Sequence, residues 1–227
     1  VSDFLDDLHP LDPDEHEQQL EGVLEHVSST SRVVDLGAGI GRLACPLTVR
    51  SGCQLLAVDE DPSVLARTEW KEAGSVEFLV EDLLGPGATW HRRGPFDLAL
   101  CLGNTLALFN DHQLVSTLFE RLATALSPGG RFLIDDFPVW GWDAVHAGDW
   151  PSGISEDGTA QIVWVPGEPA FAFRTGEGVD PESDHPVPGE RQLRLWSLSE
   201  LGDLARRKGL KGPEHHPRQH LLDFQVL

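Results

Sequence analysis

The stretch Arg32-Val33-Val34-Asp35-Leu36-Gly37-Ala38-Gly39-Ile40-Gly41-Arg42 decides how the rest of the chain is read. Arg32 to Leu36 has the short apolar centre of a buried strand. Three glycines at alternate positions then turn the chain. A helix follows to about Arg50, where Ser51-Gly52 stops it. Glycines at a strand-to-helix junction let the backbone turn tightly and let a ligand approach without a Cβ in the way. By itself such a loop serves a dinucleotide, a nucleoside or nothing. Spacing narrows the choice, because a dinucleotide fingerprint places its third small residue at position 42, and this chain has Arg42 there. A pyrophosphate is also repelled by Asp35 beside the loop, whereas a ligand with a cationic end is attracted.

Outward from the loop, Leu55 to Val58 reads as a second strand ending at Asp59. Asp61-Pro62 opens a helix to about Ala73, with Asp as cap and Pro at the first helical position. Val76 to Val80 is a third strand, ending at Glu81-Asp82, and Phe96 to Cys101 a fourth. His112 to Leu126 is helical, with Leu114, Val115, Leu118, Phe119 and Leu122 on one face, and Ser127-Pro128-Gly129-Gly130 breaks it. Arg131 to Ile134 is a fifth strand, ending at Asp135-Asp136. Short apolar strands alternating with helices specify a parallel α/β sheet. Pro46, inside the first helix, removes a donor and is expected to kink it.

Four regions follow. Residues 1–30 form an acidic arm with a helix over 15–27, and 31–137 form the ligand-binding α/β core. Residues 138–196, rich in Trp, Gly and Pro, are a β insertion. Within it 159–165 and 170–174 pair as antiparallel strands around Pro166-Gly167-Glu168-Pro169, and 191–197 adds another. Residues 197–227 complete the core, with a helix opened by a Ser197/Glu200 capping box, closed by Arg206, Arg207 and Lys208 before Gly209, and a final strand over 221–227.

The carboxylates at the strand ends sharpen the ligand. In a parallel sheet these ends share one edge, which is the binding edge. Asp59 is placed to accept both hydroxyls of a ribose, and Asp82 to accept from an adenine amino group. Asp59 alone suits NAD equally well. The three acids together suit S-adenosylmethionine better, since its amino and sulfonium groups are cationic.

Asp35 to Leu47 (DLGAGIGRLACPL), Leu55 to Asp59, Val76 to Leu83 and the Pro128-Gly129-Gly130 strand resemble, in order, the successive motifs of class I S-adenosylmethionine-dependent methyltransferases. The resemblance covers about residues 30–136 and the helix near 197–209. It implies a Rossmann-like, seven-stranded, mostly parallel sheet with helices on both faces, its last strand antiparallel. It also implies a cofactor site of Asp35, Gly37, Ala38, Gly39, Asp59, Glu60, Asp82, Leu83, Cys101 and Leu102. Gly37 and Gly39 would line the methionine end, Asp59 the ribose, Asp82 with Leu83 the adenine, and Cys101 with Leu102 the methionine part. Phe96 to Thr105 resembles the fourth motif of small-molecule N-methyltransferases of the glycine/sarcosine type. The D/N/S-P-P-Y/F motif of DNA adenine and cytosine-N4 enzymes is absent there.

Methyl transfer from a sulfonium mainly requires positioning, which can supply ~7–11 kcal/mol. A general base helps a hydroxyl acceptor and is optional for a neutral amine. The catalytic candidates are Asp136, His146 and Asn104; Asn104 either orients an acceptor or turns the chain after Gly103. One of Asp135 and Asp136 faces the acceptor and the other supports a loop. His146 follows by a short loop. Trp140 and Trp142, with Trp150 and Trp164, form either an aromatic wall around the acceptor or the core of the insertion. Arg174 and Arg191 either pair an acceptor carboxylate or are exposed strand charges. His215, His216 and His220 fall around Gly212-Pro213 and Pro217-Arg218, in a connection between the last strands, and no metal is expected.

Composition excludes other classes. Seventeen Lys and Arg against 37 Asp and Glu leave a net charge of −20, which disfavours nucleic acid and anionic membrane surfaces. No apolar run approaches the ~18 residues of a membrane span. The chain opens on acids, not on a basic secretory leader. Cys45, Cys53 and Cys101 are odd in number and scattered, so neither a disulfide framework nor a zinc site is indicated, and a reducing cytoplasmic setting is the default. The expected function is methyl transfer to a small-molecule acceptor, nitrogen before oxygen. A non-catalytic cofactor-binding module and an NAD(P) oxidoreductase are the rivals.

Overall fold

A computed structural model describes residues 12–65, 70, 71 and 73–227. The elements in chain order are α1 (Pro13–Leu24), β1 (Arg32–Leu36), α2 (Ala44–Ser51), β2 (Gln54–Asp59), α3 (Pro62–Leu65), β3 (Ser75–Val80), β4 (Phe96–Cys101), α4 (His112–Ala125), β5 (Leu126–Asp135) and α5 (Phe137–Ala147). Then come β6 (Gly153–Ile154), β7 (Ala160–Trp164), β8 (Ala170–Thr175), β9 (Leu193–Arg194), α6 (Leu198–Arg207), β10 (Leu210–His216) and β11 (Leu221–Val226). The far end of the helix expected to run to Ala73 includes residues outside those described.

The main sheet has seven strands in the order β10-β11-β5-β4-β1-β2-β3. β1 to β5 run parallel, and β11 lies antiparallel between β5 and β10. Alternate residues of a strand point to opposite faces, and β1 shows the result. Val34 and Leu36 join a core under α4 and α6 with Phe119, Phe132, Leu201 and Phe224, whereas Val33 joins a core under α1 and α2 with Leu20, Leu47 and Leu98. Burying each such side chain contributes ~1.5–3 kcal/mol.

Several boundaries differ from expectation for identifiable reasons. α1 starts at Pro13 because Asp12 caps it, accepting from the Asp14 amide at 2.7 Å. α2 begins only at Ala44, so Pro46 falls in its first turn, where a backbone N–H has no partner within the helix and no kink is needed. Leu114 is exposed on α4, while Val115, Leu118, Phe119 and Leu122 are buried. β5 follows α4 directly and carries Pro128-Gly129-Gly130 within it as an irregularity against β4.

β10 forms where only a connection was expected. It tolerates Gly212-Pro213 because its ladder with β11 shifts register between Lys211 and Glu214.

After β5 the chain forms α5, where a loop was expected, and a second antiparallel sheet in the order β6-β7-β8-β9. Gly148, in a left-handed conformation, ends α5. The tryptophans build this unit's own core. Trp140 meets Phe137 and Trp150 with ring centroids 4.7 and 5.5 Å apart, and Trp164 meets Phe171 at 4.9 Å. No helix among the described residues is long and apolar enough to cross a membrane.

Candidate active site

The carboxyl ends of β1 to β4 open on one cavity of about 320 Å³. Asp35 lines it and is buried. Removal from water, aided by the nearby Asp59 carboxylate, pushes its pKa up to about 7 against an opposing pull from Arg42. A buried carboxylate holds its charge best when a cation joins it, so this wall of the cavity suits an ammonium.

The glycine loop is tied to β2 by the Gly37 and Ala38 amides, which both donate to the Val58 carbonyl at 2.9 and 3.1 Å. Gly37, Gly39 and Gly41 all have positive φ. A Cβ on Gly37 would lie 2.6 Å from Thr105, and one on Gly41 2.7 Å from the Trp70 ring. A Cβ on Gly39 would meet nothing within 4 Å. Gly37 and Gly41 therefore serve packing, while Gly39 leaves the cradle open.

Asp59 is oriented by backbone amides. One oxygen accepts from Gly39 and the other from Asp61, each at 2.9 Å. A carboxylate has about four lone-pair sites, so both oxygens can still accept from a diol. Glu60 lines the cavity beside it. At the end of β3, Glu81 turns away to accept from the Thr89 and Trp90 amides. Asp82 and Leu83 line the cavity instead, and the Leu83 carbonyl is held by the Trp90 indole at 3.0 Å.

The residues expected after β4 divide. Leu102 lines the cavity. Cys101 does not, because its side chain is buried on the opposite face of the strand, in the α4 core, where burial pushes the thiol well above its ordinary pKa. Asn104 adopts a left-handed turn at φ 60°, and its amide donates to Asp135 at 2.7 Å. Its neighbours Gly103 and Thr105 line the cavity, and Asn104 fits the turn role. Asp135 is committed to structure, since its second oxygen accepts from the Phe137 amide at 3.2 Å. Burial pushes its pKa up to about 6.

Asp136 meets two residues that sequence spacing had set apart. Its Oδ2 lies 3.2 Å from His215 Nε2 and 3.8 Å from His220 Nδ1. The His220 carbonyl in turn accepts from the Asp136 amide at 3.2 Å and the Gln19 side chain at 3.3 Å. His146 is elsewhere: it is exposed on the last turn of α5, 5.8 Å from the Trp142 ring, and does not meet Asp136.

Of the insertion residues, Trp140 and Trp142 pack in its core and do not line the cavity. Arg174 is buried against Glu190, so it is not an acceptor ligand at the cavity. Arg191 does line the cavity. Further lining residues were not singled out from sequence, among them Arg42, Thr105 and Phe109. The short Thr105–Leu108 turn after β4 has no periodicity to announce it.

This arrangement places three strand-end carboxylates, Asp35, Asp59 and Asp82, around one open glycine loop. Residues 33–130 match the family model of a methyltransferase domain. That segment is a methyltransferase domain, and the fold around it is the one seen in solved S-adenosylmethionine-dependent methyltransferases. No curated protein matches the chain by sequence. In fold it is similar to an S-adenosylmethionine-dependent methyltransferase from Clostridium acetobutylicum, with TM-score 0.66 and 14% identity over 95% of this chain and 92% of that one. It is also similar to an amino pentose methyltransferase from Micromonospora echinaspora with S-adenosylmethionine bound, with TM-score 0.57 and 13% identity over 94% and 91%. A third similar structure is the Burkholderia thailandensis 1,6-didemethyltoxoflavin-N1-methyltransferase, with TM-score 0.57 and 18% identity over 97% and 81%.

Proposed function

We propose that this methyltransferase methylates a small-molecule acceptor, nitrogen in preference to oxygen, and that residues 138–196 act as the acceptor-side lid. The observation that carries the small-molecule reading is the cavity itself, enclosed by Asp35, Asp59 and Asp82 at three strand ends with the open side of Gly39 between them. Its size lies within the ~300–1,000 Å³ of small-ligand sites. The nitrogen preference draws on the motif from Phe96 to Thr105, and two of the similar structures are named for an amino sugar and for a ring nitrogen.

S-adenosylmethionine, when bound, supplies an electrophilic methyl group on a sulfonium. Asp35 would hold the methionine ammonium, Asp59 and Glu60 the ribose hydroxyls, and Asp82 with Leu83 the adenine. Methyl transfer to an acceptor nitrogen would release a neutral thioether, and the chain's own residues would hold the acceptor in line while its proton passes to solvent. For an acceptor that must lose its proton earlier, Asp136 with His215 and His220 offers a proton-accepting group at the same sheet edge.

Calorimetric titration with S-adenosylmethionine, S-adenosylhomocysteine and NAD tests the cofactor assignment. Micromolar binding of both sulfur ligands and none of NAD is expected. An acceptor screen led by small amines then tests the nitrogen preference, which faster turnover of matched hydroxyl compounds would reverse.

A further inference from the structure

The insertion holds a buried polar network around one arginine. Arg174 donates from Nε to Glu190 at 2.5 Å and from Nη2 to its other oxygen at 2.8 Å, a two-pronged pairing. Its Nη1 donates to Gln161 at 3.1 Å. Gln161, itself buried, donates to the Asp180 and Ser183 carbonyls at 2.9 and 3.2 Å and accepts from the Asp180 amide at 2.9 Å. Glu190 also accepts from the Val187 amide at 2.8 Å. Residues 180–190 contain no strand or helix, yet this network pins them to β7 and β8 at both ends.

The residue directly after Glu190 is Arg191, and two residues later Leu193 is fully buried. Arg191 is thus held between two anchors, and it lines the same cavity as Leu108 and Phe109. It forms no ion pair among the described residues.

The charge pattern of the cavity gives that position a meaning. Four carboxylates line it: Asp35, Asp59, Glu60 and Asp82. Two cations join them, on different units. Arg42 leaves the glycine loop and its guanidinium lies 4.0 Å from where a Gly103 Cβ would be, at the end of the cavity that holds Asp35. There it would suit the carboxylate of the cofactor's methionine. Arg191 comes from the insertion. An anionic acceptor approaching four carboxylates is repelled unless a cation receives it, and a neutral amine needs none.

Resting on the methyltransferase reading above, we propose that the methyl acceptor carries an anionic group, a carboxylate or a phosphate, and that Arg191 receives it. The loop network presents Arg191, with Arg174 and Glu190 as positioning residues.

Simple anions stand in for the acceptor in the test. Protein saturated with S-adenosylhomocysteine is titrated with acetate and with inorganic phosphate, as wild type and as Arg191→Gln. At least one of the two anions is expected to bind the wild-type complex. Arg191→Gln should weaken it about tenfold, the loss of one charge-assisted contact, while S-adenosylhomocysteine affinity stays within about twofold. Which anion responds separates carboxylate from phosphate. Binding of neither anion by the wild-type complex, or equal binding by both proteins, overturns the proposal. A tenfold loss of S-adenosylhomocysteine affinity in Arg191→Gln also overturns it, because Arg191 would then serve the cofactor. If wild type binds no S-adenosylhomocysteine at all, it is the cofactor reading that has failed, and this proposal falls with it.

Discussion

Asp59 divides its two oxygens between the amides of Gly39 and Asp61, so its orientation is set before any ligand arrives. Hydrogen bonds to a charged acceptor contribute ~1.5–3 kcal/mol each. Asp59→Ala should therefore weaken S-adenosylhomocysteine binding at least about tenfold by calorimetry; unchanged affinity would remove the ribose assignment. Asp35 brings a pH dependence. Its pKa is raised from 3.8 to about 7, so at lower pH the carboxyl is protonated and has no charge to offer an ammonium. Affinity should fall as pH drops below about 7, approaching tenfold per pH unit, and Asp35→Asn should flatten that profile. In the ligand-free protein this group should give the opposite slope, readable as urea stability against pH. Its contribution to stability is present below 3.8 and is lost as pH rises toward 7. These acids were legible in the sequence because each ends an apolar strand. Arg174 and Arg191 were not separable there, because what distinguishes them is a partner, Glu190, that reaches one and not the other.

At the scale of elements, α6 shows local chemistry that sequence reveals fully. Ser197 accepts from the Glu200 amide at 3.2 Å, and Glu200 accepts in return from the Ser197 amide at 2.9 Å. Ser197→Ala should cost ~1 kcal/mol of stability, readable as a lower urea midpoint with an unchanged slope; a midpoint equal to wild type would show the cap to be redundant. The five parallel strands were legible for a related reason. β1, β2, β4 and the end of β5 are buried on both faces, while β3 is an exposed edge strand, and all of them read as apolar runs between glycine and acidic punctuation. α5 was not, because Pro138, Gly141 and a run of aromatic residues resemble a loop until the packing of Phe137, Trp140 and Trp150 is seen. β10 was hidden by Gly212-Pro213 and two histidines. The meeting of His215 and His220 with Asp136 spans about eighty residues of sequence, and no local pattern encodes such a contact.

The molecule as a whole separates a sheet edge lined with carboxylates from an insertion that carries its own sheet and aromatic core. On the proposed division of labour, exchange of residues 138–196 for the corresponding region of a methyltransferase of the same fold should change the acceptor and leave S-adenosylhomocysteine affinity nearly untouched, as measured by calorimetry beside an acceptor panel. A large loss of cofactor affinity would contradict that division. The order of the main sheet bears on how the protein is made. β11, the last strand in sequence, sits inside the sheet between β5 and β10. On the ribosome, β5 waits with a row of unpaired amides and carbonyls until Leu221 to Val226 emerge, a state open to association with other nascent chains. A premature stop or a protease nick just before Leu221 would remove no dispensable tail. It would take out an internal strand and leave two raw edges facing a gap, making Leu221 to Val226 as necessary to a soluble product as the glycine loop.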